Sequence, residues 1–230
     1  MIKKIIKAIN AITDELIGNN VIIAFNPPSV KLNSVTWNSG CKLSDYFGIN
    51  NLYELYKQFV KNNEYNFILN DGSLIQLFYE FDAAGELKSH RLYFLHFPFL
   101  SDGILIEGYG VLDYLESWED IKYLNNTYES EEYDVFFIIN KFKSIGFIRF
   151  DYDPVANLKS PDDHPKCHLT INQEAVRIPV TNPMNPEDFL AFILTHYYSY
   201  DLKIKYNFNM PFNDSISDKE KSLMYFSSKV

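Results

Sequence analysis

Cysteine is scarce in this chain: among its 230 residues only Cys41 and Cys167 carry thiols. Two thiols are too few for the disulfide framework of a small secreted domain, so we expect a reducing, cytoplasmic environment. The sequence also lacks the run of about 18 apolar residues that a transmembrane helix needs, so we expect no membrane association. The apolar N-terminus is interrupted by Lys7, Asp14 and Glu15, so it does not resemble the core of a signal peptide.

Positive charge is also in deficit, with 21 Lys and Arg against 30 Asp and Glu and a net charge of −9. Because non-specific binding to a phosphate backbone needs clustered cations, such binding is not expected beyond a local site. The sequence contains no Gly-rich phosphate loop, GxGxxG, CxxC, GxSxG or HExxH motif. P-loop hydrolysis, dinucleotide redox chemistry and a zinc ribbon are therefore disfavoured.

Aromatic residues, by contrast, are abundant, with 19 Phe and 17 Tyr. Together with Ile- and Val-rich runs, they favour sheet in the middle of the chain. We therefore predict an α+β fold with a central, mostly antiparallel sheet flanked by N-terminal and C-terminal helices. No linker is evident, and we predict one domain over residues 1–230. Its parts are a helical and loop region (1–64), a core (65–200) and a C-terminal extension (201–230).

Apolar periodicity and capping signals predict the helices. Isoleucines recur at steps of three and four from Ile2 to Ile12, which indicates an amphipathic helix with Glu15 largely outside its apolar stripe. Asn185 is a favourable N-cap, and Pro186 suits the first helical position, so a helix is predicted to begin there. Further helices are predicted over residues 51–60 and 107–125.

Alternating apolar residues between turn signals predict the strands. Asp71 and Gly72 separate the runs 65–69 and 73–81, which is typical of a hairpin because glycine accepts the positive φ of a tight turn. A third strand over 88–97 would complete a meander. Later strands are predicted over residues 135–142, 144–152, 168–172 and 175–180.

Two of the later strands each carry a polar stripe. Arg149, Asp151 and Asp153 alternate with aromatic residues, so these three side chains share one face of their strand. His168 and Thr170 share a face of the following strand in the same way. Because the strands follow one another in sequence, we expect the two stripes to converge on one site.

Three further residues extend this candidate site. His164 lies in the loop before the second polar strand, and Arg177 lies on the strand after it. His90 opens the third strand of the meander, next to Arg91. Since neighbours in a strand point to opposite faces, only one of His90 and Arg91 is expected to face the site.

Metal-free phosphodiester chemistry is one interpretation of these residues. His164 and His168 would act as acid and base. Arg149 or Arg177 would stabilise the charged phosphorane, and Asp151 would orient a histidine.

Other interpretations use the same residues differently. A divalent metal that activates water could take carboxylate and imidazole ligands from Asp151, Asp153, His164 and His168. His168 and Thr170 also match one half of the paired His-x-Thr arrangement of two-histidine phosphoesterases, of which this sequence has a single copy. A structural ion pair between Arg149 and Asp151 is the non-catalytic alternative.

Five motifs occur in an order that resembles a bacterial family known as domain of unknown function two-two-nine-zero. They lie at residues 71–81, 89–94, 148–154, 164–172 and 177–180. The resemblance covers about residues 65–200 and implies no reaction, although it suggests an origin among mobile or defence loci. The order of the Arg-Leu, Arg-x-Asp and His-x-x-x-His segments is also similar to that of small ribonuclease toxins.

The leading hypothesis is a metal-independent RNase or phosphodiesterase of a bacterial defence or toxin–antitoxin module. It would bind RNA or another nucleic acid at a local site, and it would need no cofactor. Its site comprises Arg149, Asp151, His164, His168 and Arg177, with His90 as a further candidate. The alternative is a non-catalytic, antitoxin-like acidic subunit that covers a basic protein encoded nearby.

Overall fold

The computed structural model describes residues 1–37, 52–97, 146–155, 165–172, 176–203, 216 and 218–221. The predicted helix at 107–125, the predicted strand at 135–142, His164 and Cys41 lie outside these residues. Cys167 is buried, and its Sγ donates a hydrogen bond to the Asn182 carbonyl oxygen at 3.3 Å. Within the described ranges, no helix has both the length and the apolar character needed to cross a membrane.

An antiparallel sheet forms the centre of the described chain. Its nine strands are β1 (Ile22–Phe25), β2 (Ser29–Lys31), β3 (Ser34–Thr36), β4 (Phe67–Leu69), β5 (Leu74–Phe81), β6 (Leu87–Leu95), β7 (Phe147–Tyr152), β8 (Cys167–Ile171) and β9 (Arg177–Pro179). The main order is β1-β4-β5-β6-β7-β8-β9, with β3 paired to the second half of β5 and β2 paired to β3. The predicted α+β class and the antiparallel sheet are confirmed.

Two tight turns connect β4 to β5 and β5 to β6, as predicted. Gly72 and Gly85 have φ values of 86° and 82°, a conformation that residues with a Cβ atom adopt only with strain. In the first turn the Asp71 carboxylate accepts a hydrogen bond from the Ser73 amide at 2.9 Å. The backbone geometry of this meander is therefore encoded locally.

Helices cover both faces of the sheet. Their bounds are α1 (Ile2–Gly18), α2 (Leu52–Lys61), α3 (Pro186–Tyr198) and the short α4 (Asp218–Lys221). Phe150 of the sheet packs edge-on against Phe189 of α3, within the apolar cluster that also includes α1. Tyr93 points the other way and packs against Phe59 of α2. We call these two sides the α1–α3 face and the α2 face.

Glu15 of α1 corrects one prediction, because it is buried instead of lying outside the apolar stripe. Only 9% of it is exposed. Its Oε1 accepts hydrogen bonds from the Lys203 amide at 2.6 Å and from the Tyr200 hydroxyl at 3.3 Å. The segment after α3 thus returns to the end of α1, a tertiary contact that helical periodicity cannot reveal.

The predicted start of α3 at Asn185 is confirmed, and it offers a stability test. The Asn185 Oδ1 accepts a hydrogen bond from the Asp188 amide at 2.8 Å, and Pro186 begins the helix. We expect Asn185→Ala to lower the free energy of unfolding by about 1 kcal/mol, because one N-terminal amide loses its acceptor. Urea denaturation would measure this loss, and Asn185→Ser, which retains an acceptor, should recover most of it. Equal loss in both variants would contradict the capping role.

Candidate functional site

The register of β6 to β9 gathers polar residues of four strands into two rows on the α2 face. Directly opposed residues of an antiparallel pair project to the same face, with Cβ atoms about 5 Å apart. One row contains Arg91, Asp151 and His168, and the other contains Arg149, Thr170 and Arg177. Among the described residues, the two polar stripes therefore lie side by side on one face of the sheet.

Asp151 lies at the centre of a compact ion-pair network. The Arg91 Nε donates to its Oδ1 at 2.8 Å, and the Arg149 Nε donates to its Oδ2 at 2.5 Å. The His168 Nε2 lies 3.5 Å from the same Oδ2. We refer to these four residues as the Asp151 cluster. One carboxylate thus holds two guanidinium groups in fixed positions.

The charge of Asp151 is maintained by its neighbours. Burial alone would raise the pKa of this carboxyl, because a low-dielectric environment disfavours the charged form. The positive charges of Arg91 and Arg149, with a smaller contribution from His168, outweigh that effect and lower the pKa below its usual range. Asp151 is therefore an anion at any pH near neutrality.

His168 is buried beside the Asp151 carboxylate. It is 1% exposed, and its Nδ1 lies 3.1 Å from the Pro165 carbonyl oxygen while its Nε2 faces Asp151. The Pro165 carbonyl oxygen can accept a hydrogen bond from Nδ1, whereas the 3.5 Å between Nε2 and the Asp151 Oδ2 is too long for a normal hydrogen bond. This geometry fits a positioning role for His168 better than the transfer of protons to a ligand.

A cavity of about 260 Å³ opens beside the Asp151 cluster. The residues that line it include Phe78, Ser89 and Asp153 together with the whole cluster. The Arg91 side chain is 30% exposed, whereas the Asp151 side chain is only 9% exposed. A guanidinium group has five N–H donors, so the contact between the Arg91 Nε and Asp151 leaves donors that can reach a ligand.

His90 contributes to the lining of the cavity, although strand alternation directs its side chain to the opposite side of the sheet from Arg91 and Arg149. Its ring packs between Tyr79 and Tyr152, and its Nε2 accepts a hydrogen bond from the Met184 amide at 3.0 Å. Burial lowers the pKa of His90 to about 4, against a smaller opposing effect from the Asp151 charge. Of the two neighbours on β6, Arg91 faces the site and His90 packs into the core.

The remaining candidates lie around the cluster. Arg177 is on the same face, two strands from Arg149, and its Nε is buried with no hydrogen-bond partner among the described residues. Asp153 is exposed at the end of β7, where its Oδ1 accepts a hydrogen bond from the Val155 amide. In the part of the chain that the structure describes, no three His, Cys, Asp or Glu side chains are placed to hold a metal ion. His164, a predicted ligand, is outside that part.

Arg91 is the cluster member that sequence reasoning did not assign to the site. Alternation along β6 required that either His90 or Arg91 face inward, so the signal was present. What decided between them was the pairing of β6 with β7, which sets Arg91 opposite Asp151. The two residues are 60 positions apart in the sequence.

The fold and the site define an α+β protein with an arginine–aspartate cluster at the edge of a sheet-face cavity. The chain belongs to the family described as uncharacterized conserved protein (DUF2290), whose profile matches residues 21–228. The resemblance predicted from the five motifs is confirmed, and the match is wider than the predicted span of 65–200. No curated protein and no solved structure matches the chain.

Proposed function

We propose that the cavity binds a phosphate group of a nucleic-acid strand and that the chain is a nucleic-acid-processing protein. The observation that carries this proposal is the fixing of Arg91 and Arg149 by one buried carboxylate at the cavity wall. Guanidinium groups match the geometry of phosphate oxygens, and groups held in place before binding lose less entropy when the ligand arrives.

The local charge agrees with an anionic ligand. Two guanidinium groups balance two carboxylates, Asp151 and Asp153, so the cavity lining is less acidic than the chain as a whole. The whole chain carries −9. A pair of arginines within an acidic protein favours contact with a nucleic acid at one place, since broad binding along the backbone would need distributed cations.

Metal-independent cleavage of RNA is the reaction that we propose for this site. A base removes the proton of the 2′-hydroxyl, the 2′-oxygen bonds to phosphorus, the bond to the 5′-oxygen breaks, and that oxygen is protonated. Arg91 and Arg149 would stabilise the additional negative charge of the phosphorane. His164 is the residue we assign to proton transfer, because His168 is only 1% exposed and has little access to a ligand.

The test of this function is incubation of the purified protein with RNA and DNA substrates, in EDTA and in Mn²⁺. We expect cleavage of RNA that persists in EDTA, is lost in His164→Ala and is weakened in His168→Ala. Cleavage that requires Mn²⁺ would favour the metal interpretation. Binding without cleavage in any condition would limit the proposal to phosphate recognition.

Affinity measurements on arginine variants test the phosphate contact directly. We expect Arg91→Gln and Arg149→Gln each to weaken binding of a single-stranded oligonucleotide by about 10-fold to 100-fold, because each removes a charged hydrogen-bond donor. Fluorescence anisotropy would measure the dissociation constant, with circular dichroism to check folding. Lys88→Gln is the matched control, since Lys88 is an exposed cation on β6 that pairs with Glu80. An equal loss of affinity in Lys88→Gln would mean that the arginine variants weaken binding only through general electrostatic attraction.

A non-catalytic acidic subunit is the second candidate, and one observation favours it. Asp151 is buried and shared between two arginines, which is also the arrangement of a structural ion-pair network. This alternative predicts no affinity for any oligonucleotide. It also predicts a stable complex with a basic protein encoded by a neighbouring gene, detectable by co-expression and size-exclusion chromatography.

A further inference from the structure

Phe78 is an aromatic residue of β5 that lies beside the arginines of the cavity. It is directly opposed to Arg91 across the β5–β6 pair, so the two side chains share the α2 face. Its neighbours Leu77 and Tyr79 are fully buried on the α1–α3 face, whereas Phe78 is only partly buried and lines the cavity. Among the described residues, it is a member of neither apolar cluster.

We infer that Phe78 stacks on a nucleobase of the bound ligand, which makes the site one for single-stranded nucleic acid. This inference rests on the proposed binding of phosphate by Arg91 and Arg149. A nucleotide carries its base one sugar away from its phosphate, and opposed residues on neighbouring strands have Cβ atoms about 5 Å apart. A phosphate on Arg91 therefore places the attached base within reach of the Phe78 ring.

The chemistry of the ligand follows from this pairing of an aromatic ring with fixed cations. Sites for single-stranded nucleic acid combine a positive groove with aromatic side chains on which bases stack, and this mode tolerates every base. In a duplex the base faces are already stacked on their neighbours, so Phe78 can contact only an unpaired base. Inorganic phosphate or a phosphorylated protein would leave the Phe78 side of the cavity without a partner.

The experiment compares three ligands on the full chain, all with methylated 2′-hydroxyls so that they cannot be cleaved: a short single-stranded RNA, the same strand with abasic sites, and its duplex. Base stacking contributes about 1–3 kcal/mol per base, which corresponds to roughly 5-fold to 150-fold in affinity. We expect the abasic strand and the duplex to bind more weakly than the intact strand by a factor in this range. Phe78→Leu should weaken binding of the intact strand similarly and leave the abasic strand unaffected.

Two further variants make the test specific to stacking. Phe78→Trp retains an aromatic face and should preserve affinity and quench a fluorescent base analogue in the strand. Tyr197→Leu is the control, because it removes an aromatic residue of α3 that is 43% exposed. It should leave the affinity for all three ligands unchanged.

The outcomes separate this inference from the proposed function. If the intact and abasic strands bind equally, or if Phe78→Leu binds the intact strand as well as the parent protein does, stacking is overturned while phosphate binding stands. Equal affinity for duplex and single strand would overturn the single-strand assignment. Failure of the parent protein to bind any of the three ligands would overturn both.

Discussion

Asp151→Ala is expected to lower the free energy of unfolding by about 3–5 kcal/mol, the range for removing one partner of a buried ion pair. The reason is that Arg91 and Arg149 would keep their charges but lose the carboxylate that they share at 2.8 and 2.5 Å. Only 12% of the Arg149 side chain is exposed, so water can replace little of that interaction. Urea denaturation at neutral pH would measure the change.

Two comparisons show whether the ion-pair network is responsible for this loss. Asp153→Ala removes an exposed carboxylate two residues further along the same segment, and we expect a change within about 0.5 kcal/mol. A triple variant with Asp151→Leu, Arg91→Met and Arg149→Met should recover most of the lost stability, because apolar residues of similar size can replace a buried ionic network. If Asp151→Ala lowers the free energy of unfolding as little as Asp153→Ala does, the ion pairs contribute little to stability.

Acidification is expected to cost about 3 kcal/mol of stability between pH 6.5 and pH 4, because His90 is buried as a neutral ring. The pKa of His90 is 6.5 when unfolded and about 4 when folded. Between these values the unfolded chain binds a proton that the folded chain does not, so stability falls as the pH falls. Above pH 6.5 the contribution of neutral His90 to stability is complete. The difference of 2.5 between its unfolded and folded pKa values corresponds to about 3 kcal/mol.

The pH series needs a variant that isolates His90 from the acidic residues. His90→Gln removes the titrating ring, so its stability should change less with pH in this window than that of the parent protein. Asp151 has a lowered pKa, so its contribution is lost only at more acidic pH, below the normal range of an aspartate. Parallel stability curves for His90→Gln and the parent protein would refute the role of His90.

Features that depend on neighbouring residues in the sequence were predicted well. The apolar stripe of α1, the Asn185 cap and the glycine turns each follow from local backbone preferences. The prediction for Glu15 was wrong for a tertiary reason, since its partners Tyr200 and Lys203 are distant in sequence. Phe78 could not be singled out for a similar reason, because a sequence rich in Phe does not show which rings stay outside the core.

The sequence by itself determined which side chains share a face of each strand, because alternation along a strand is a property of the local backbone. The spacing of Arg149 and Asp151 is therefore sufficient to place them together. Only the tertiary structure decided which strands are neighbours and in what register. That register sets Arg91 opposite Asp151 and Phe78 opposite Arg91, and it directs the His90 side chain to the other face. A shift of one residue would exchange the two faces.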